Sequence, residues 1–301
     1  MKSLSVVVLF AAACGAAGEG TSSIEELRAA LPTQALVTMV PVVSEVPALT
    51  SCTTLGASTF GVLTHKVAAD VDGVLGGVLG EVQTITKNPP TSSRPGHAVW
   101  GPISSPTSSE YLLQVDEPAR AEFHFVLAGR DAASDWRGVF QGVTVAPDAT
   151  HRAGQIAVDF TVMHALDASV DPVAGQVGVH FEAAGSARNV AATFAGIRGK
   201  AAPQPDDAQY QLVTAADNSS GFAYSTRVDF DGDGTQDEIA HIDSLWSPSG
   251  AGVAHLTVSG GSLGARVVNA VECWDAALAR VYYTDDASMH PAAGDAACCP
   301  R

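Results

Sequence analysis

Carboxylates crowd the stretch Asp229-Phe230-Asp231-Gly232-Asp233-Gly234-Thr235-Gln236-Asp237-Glu238. The order matches the D-x-D-x-D-G-x-x-D loop that wraps Ca²⁺ in oxygen ligands. Asp229, Asp231, Asp233 and Asp237 would supply carboxylates, Thr235 a backbone carbonyl, and Gly234 the sharp turn. The run departs from a helix–loop–helix calcium hand at its twelfth position, Ala240, so no bidentate glutamate closes the site there. Asp-Gly-Asp-Gly is also good β-turn chemistry in its own right. Four clustered carboxylates repel one another, however, and a plain turn has no need of them. The pattern reads as a weak Ca²⁺ loop suited to a compartment outside the cytoplasm.

Gly260-Gly261-Ser262-Leu263-Gly264 spells the G-x-S-x-G of serine hydrolases, and Asp285 and His290 follow in the order those enzymes use. A nucleophile elbow needs a strand before the serine and a helix after it. Here Arg266-Val267-Val268 is strand-like, and Ser259-Gly260-Gly261 makes an easy hairpin. The reading is a turn, and no catalytic residue is assigned. His124, His164, His180, His241 and His255 fall on strand-like runs, but no pair has the H-E-x-x-H spacing of a metalloenzyme. Trp100, Trp136, Trp246 and Trp274 read as core or rim packing rather than a ligand box.

Composition narrows the address. The 301 residues carry a formal net charge of −16. So acidic a chain argues against nucleic-acid binding, which leans on Lys and Arg, and against docking on anionic lipid through a basic patch. Lys2, the apolar run Leu4 to Ala12 and the small triplet Ala11-Ala12-Ala13 form an export signal,. Cys14 directly after Ala13 makes residues 1–13 look like a lipoprotein signal, with Cys14 as the lipidated first residue of the mature chain. Ala11 departs from the usual leucine of that motif. Gly15 rather than aspartate follows the cysteine, so the enteric sorting rule this resembles would send the protein to the outer membrane. Four further cysteines remain, Cys52, Cys273, Cys298 and Cys299. An even number outside the cytoplasm implies disulfides, with Cys273 joined to one of the neighbouring pair and Cys52 to the other. Zinc is disfavoured, because no C-x-x-C and no suitably spaced histidine stands beside them.

The elements that must position these groups follow from periodicity. Phe60, Leu63, Val67, Val71, Val74, Val78, Val82 and Ile85 recur at steps of three and four, the stripe of one long helix over 60–86,. Gly73, Gly76, Gly77 and Gly80 interrupt it, each costing about 0.5–1 kcal/mol against alanine, which implies close approach of the backbone to a partner. Before it, Ser23 and Glu26 predict a capping box for a helix over 24–30, stopped by Pro32. Residues 34–51, with Pro41 and Pro47, read as extended, and 91–97 as a polar loop. Alternating runs then follow at 110–116, 122–127, 137–146, 156–162, 176–182, 188–197, 208–215, 222–230, 238–246, 251–259, 266–274 and 280–284. Short turns between most of them predict an antiparallel meander. The fold class is mainly β with one long helix (α+β), a curled sheet or half-barrel of about a dozen strands packed on helix 60–86. Residues 14–55 read as tether and extension, and 56–301 as one β-rich domain.

Asn88-Pro89-Pro90-Thr91, Val99-Trp100-Gly101-Pro102 and Glu272-Cys273-Trp274-Asp275 before Val281-Tyr282-Tyr283 resemble a group of bacterial envelope lipoproteins to which no activity is attached. The likeness covers about Phe60 to Cys299 and implies an anchored envelope protein. The layout also resembles, in architecture alone, half-barrel carriers of the LolA and LppX kind. The Asp229 loop resembles the calcium loops of β-propellers more than helix–loop–helix hands. The expected function is non-enzymatic binding of an apolar ligand or a protein partner, with the N-terminal lipid in the membrane. A structural surface lipoprotein is the alternative, and a hydrolase using Ser262 comes third.

Overall fold

The computed structural model describes residues 21–41, 52–105, 109–131, 134–146, 148, 150–200, 206–287 and 291–300. Cys14, the signal and His290 lie outside the described residues. Helices α1 (Ile24–Ala30), α2 (Gln34–Val37) and α3 (Thr59–Thr86) come first. Strands β1 (Ser92–Arg94), β2 (His97–Ser104), β3 (Glu110–Ala119), β4 (Glu122–Arg130), β5 (Arg137–Val145) and β6 (His151–Asp159) follow, then helix α4 (Phe160–Leu166). The remainder comprises β7 (Ala174–Ala184), β8 (Ala187–Arg198), β9 (Asp206–Thr214), β10 (Ser220–Val228), β11 (Glu238–Trp246), β12 (Gly252–Gly260), β13 (Val268–Trp274), β14 (Arg280–Asp285) and β15 (Ala293–Gly294). All fifteen strands, rather than about a dozen, join one antiparallel sheet in sequence order, and its two ends do not pair to close it. The edge strands β1 and β15 have only three and two residues, which blunts the sheet against pairing with other chains,.

Helix α3 runs across these strands. Near its start Phe60 approaches Tyr283 of β14, with ring centroids 6.4 Å apart, and His65 stacks on Trp246 of β11 at 4.6 Å. Further along, Val67 and Val74 face Phe194 of β8 and Tyr210 of β9. Just past its end, the Asn88 carbonyl accepts a bond of 3.0 Å from Trp100 Nε1 of β2. Eleven inter-strand steps from β2 to β13 would span roughly 53 Å if flat, whereas 28 residues of helix reach about 42 Å,. Both ends of the helix meet the sheet, the head at β13 and β14 and the tail at β2. Side chains of α1 to α4 and of strands from β2 to β14 accordingly share one buried cluster.

Three polar anchors fix the helix. At its head Glu272, fully buried on β13, accepts 2.7 Å from Phe60 N–H and a further bond from the Ser58 hydroxyl. Ser58 Oγ in turn accepts from Gly61 N–H at 2.8 Å, the N-cap contact,. At the middle, Asp72 accepts from the Thr38 hydroxyl and from Met39 and Val40 N–H, tying down the exit of α2. Arg188 of β8 reaches the Val40 carbonyl at 2.9 Å from the opposite side. At the tail, the Asn88 carbonyl takes bonds from both Trp100 and Arg28. The segment leading into α3 is stitched to the far edge of the sheet by Leu55 N–H to Arg280 O, Arg280 N–H to Gly56 O and Ser58 N–H to Leu278 O. Two disulfides, Cys52–Cys298 and Cys273–Cys299, close the same corner and match the expected partition of the cysteines.

Several expectations need correction. Phe160 and Val162 do not continue β6. Asp159 accepts from Val162 N–H at 3.0 Å, and the cap turns the chain into α4, which also carries His164. Alternation over so few residues cannot separate the two cases, and burial of Phe160 and Leu166 decides it. The 91–97 loop contains β1. Gln34–Val37 is a helical turn rather than extended, since Pro41 constrains only the residue just before it,. The buried stripe of α3 is wider than the predicted one and shifted at three positions. Phe60, Val71, Val78, Val82 and Ile85 are buried as expected, Leu63 is 38% exposed and Val67 and Val74 are half-buried, while Thr64, Ala68, Asp72, Leu75 and Leu79 join the buried face. Of the four glycines, Gly76 abuts the Gln34 side chain, whereas Gly73, Gly77 and Gly80 meet open space, and nothing in the structure explains their use.

Glu272→Ala is expected to lower stability by about 3 kcal/mol, because it orphans a helix-end N–H and a buried hydroxyl. Glu272→Gln keeps an acceptor for both donors and should lose less than half as much. Thermal melting of both variants checks this; equal losses would mean that shape alone matters at this position.

Candidate functional site

Register places the two motifs at one end of the sheet. Val228 pairs with Glu238 where β10 meets β11, so 229–237 is their connection. Glu238 also pairs with Gly260 at the end of β12, just before the 3₁₀ turn Gly261–Leu263 that carries Ser262. A small apolar cluster of Ala240, Val258 and Val268, with Phe230 and Leu263 against it, lies beneath both connections.

Much of the aspartate loop is satisfied within itself. Asp229 accepts from Gly232 N–H at 2.8 Å and Gly234 N–H at 3.0 Å. Asp233 takes the Thr235 N–H at 2.8 Å and hydroxyl at 2.6 Å, which hold its carboxyl below the usual aspartate range. Gly232 and Gly234 have φ of 76° and 91°, left-handed conformations that admit these turns at little cost,. The side chains brought within reach of one another are Asp229, Asp231 and Glu238, with ligand oxygens inside 4.8 Å. Asp233 and Asp237, counted as ligands from the sequence, are outside that group. Asp237 instead lies against Gly261, where a Cβ would come 2.4 Å from its Oδ1.

Glu238 is the member that spacing rules missed. Its sequence signal was parity: positions 238, 240, 242, 244 and 246 of β11 all point inward, so a carboxylate heads the buried face. It is fully buried and accepts from Phe230 N–H at 3.0 Å, Ser262 N–H at 3.2 Å and Ser262 Oγ–H at 2.9 Å. The Phe230 amide, aided by Ser262, outweighs burial and holds its carboxyl below the ordinary glutamate range. Ser262 Oγ also reaches Asp231 Oδ2. A hydroxyl has one hydrogen and here faces two carboxylates, so it can donate fully to only one of them at a time,.

Among the described residues no histidine belongs to that carboxylate group. His124 bonds Glu122 at 2.7 Å and His241 bonds Ser225 Oγ at 2.6 Å, while His164 Nδ1 meets the Val170 carbonyl at 2.9 Å. Trp100, Trp246 and Trp274 are buried, and Trp136 carries the Arg130 guanidinium 4.5 Å over its ring. Two openings stand out. A shallow groove of about 370 Å³ runs over His124, Val143, Gln155 and His180, neighbours across β4 to β7. A narrower slot of about 200 Å³ separates α3 from β8 and β9. Among the described residues no helix is long and apolar enough to cross a membrane. No family model matches the chain, and no curated protein or solved structure is similar enough to count as a match.

The sign of the pH effect at Glu238 follows from its lowered carboxyl. Stability from this group is present above the unfolded value near 4.5 and is lost as pH falls through the lower folded value,. The melting gap between wild type and Glu238→Gln should be widest near neutrality and close as pH drops below 4.5. A gap that does not change with pH would show that the contact works without its charge.

Proposed function

We propose that the chain is an exported cell-envelope protein, anchored to the outer membrane through lipid on Cys14, which acts by binding rather than by catalysis. The seating of Ser262 carries the non-catalytic part of this reading. It lies in the turn between β12 and β13, not at the strand-to-helix turn of a nucleophile elbow, and its hydroxyl donates toward Asp231 and Glu238,. Two disulfides support export, since such bonds persist in oxidising compartments,.

The filled concave face bears on what is bound. Between α3 and the sheet there is a slot of about 200 Å³, below the several hundred of a typical ligand pocket. That volume supports a small apolar group, or a protein partner met at the surface, over a whole lipid. The comparison with half-barrel carriers belongs to this proposal as architecture alone, supported by a helix lying across a curved sheet. A rigid structural lipoprotein is the second reading, favoured by the size of the shared core.

Calcium at the 229–238 loop is part of the proposal. Oxygens of Asp229, Asp231 and Glu238 within 4.8 Å of one another fit bonds of 2.3–2.6 Å to one ion. Three protein ligands fall short of the usual six to eight, so water or a rotated Asp233 or Asp237 would complete the shell. Such a site is weak, with Kd on the order of 10⁻⁴–10⁻³ M.

Two measurements test this reading. Mass spectrometry of the membrane-extracted protein should find Cys14 as the lipidated N-terminus, and Cys14→Ser should release the chain from membranes. A soluble form unchanged by that substitution would refute the anchor. Ca²⁺ at about 100 Kd should add roughly 2.7 kcal/mol, a rise of several degrees in Tm that exceeds the effect of Mg²⁺. Asp231→Asn with Asp233→Asn should remove the rise; if variant and wild type respond alike, the loop is only a turn.

A further inference from the structure

The slot between α3 and the sheet has a chemistry of its own. Val67, Val71 and Val74 form an aliphatic wall, faced by Phe194 of β8 and by Ala208 and Tyr210 of β9. The Tyr210 ring meets Phe194 edge-on at 5.2 Å and lies near-parallel to Tyr224 at 6.1 Å, so an aromatic stack backs one side. At the mouth stand two exposed carboxylates, Asp70 on α3 and Asp206 at the start of β9. Lys66 pairs with Asp70 in an exposed i,i+4 pair, and Arg227 and Asp207 both act on Asp206, so the mouth keeps one more negative charge than positive and its weak exposed pairs can yield to a competing cation,. Both carboxylates act on the Tyr210 hydroxyl: burial first, then Asp206 and Asp70, push it up to about 12. The phenol therefore stays protonated, and the local field is negative.

We propose that this slot binds a small organic cation, an alkylammonium whose short apolar tail lies between the valines and the aromatic rings while its charge sits at Asp70 and Asp206. Charge complementarity selects this occupant. A fatty acid or an anionic headgroup would bring like charge to the two carboxylates, and a neutral chain would leave them unused. Aromatic faces beside the wall favour a cation as well. The assignment deepens the binding role proposed above by naming a ligand class. It is independent of the anchor at Cys14.

Isothermal titration of the full chain with n-butylammonium tests it, with n-butanol and butanoate as the uncharged and negatively charged counterparts. Butylammonium should bind at least about tenfold more tightly than butanol, with butanoate weakest, and the advantage should shrink as salt rises. Asp70→Asn with Asp206→Asn should erase the advantage. Val74→Phe, at a half-exposed helix position, should block all three compounds by filling the slot. Asp135→Asn with Asp243→Asn removes equal charge at exposed positions elsewhere and should leave butylammonium binding unchanged. Equal binding of butylammonium and butanol, or equal loss in both aspartate pairs, would overturn the proposal, the latter by showing general attraction to an acidic protein. Absence of binding by any of the three would overturn the slot as a site, while membrane release by Cys14→Ser would still report separately on the anchored reading.

Discussion

A buried carboxylate at the head of a long helix is the contact on which the rest of this structure depends. Glu272 has no water around it, and an ion so placed is tolerable only when its partners are fixed,. The partners are the Phe60 N–H in the first turn of α3, the Ser58 hydroxyl and, at 3.8 Å, the Arg280 guanidinium. The positive end of the helix dipole adds to them. Because Glu272 sits on β13, it determines where α3 begins and the direction in which it leaves. The helix then crosses toward β2, and the sheet bends to follow. Trp274, two residues along the same strand, packs where Gly61 leaves room, a position at which any Cβ would collide with its ring. Asp72 and Asn88 repeat the device at the middle and the tail of the helix.

This arrangement gives a physical meaning to segments that looked like family marks. Glu272-Cys273-Trp274 fastens the start of α3 through a carboxylate, a disulfide and a ring. Asn88 and Trp100 fasten its end, and Thr91 bonds back to the Val99 and Gly101 carbonyls. Segments almost two hundred residues apart thus serve one helix.

The strands were legible because they alternate cleanly and Gly, Asp and Pro punctuate them, so most boundaries fall within two residues of expectation. The long helix was equally legible from its step of three and four, and so was most of the face it buries, from Phe60 to Ile85, but not its full width. Leu63 looked like a core residue, yet Thr64 and Ala68 are buried in its place. A stripe of periodicity states that a helix has an inside and leaves its exact azimuth to tertiary contacts. The aspartate loop shows a similar limit. Its spacing named Asp229 and Asp231 correctly as neighbours, but Asp233 and Asp237 turn to local donors, and Glu238 arrives from the strand. Local pattern cannot see the Phe230 amide or the 3₁₀ turn that hold Glu238 in place. The Val67–Tyr210 slot was invisible for the same reason, since its two walls lie far apart along the chain.

The stitching of residues 55–58 to 278–280, together with the Cys52–Cys298 bridge, has a consequence for how the chain assembles in time. A polypeptide that emerges N-terminus first presents α3 long before the groups that cap it exist. Each hairpin from β1 onward can form as its second strand appears, because neighbours in sequence are neighbours in the sheet. The helix head has to wait for the final strands, across a loop of more than two hundred residues. Contacts of such long range are the slow ones, and the head of α3 around Phe60 stays uncovered until they form,. The last thirty residues therefore act as the latch of the helix head, and a chain truncated before β13 would hold a nearly complete sheet around a helix anchored at its middle and tail alone.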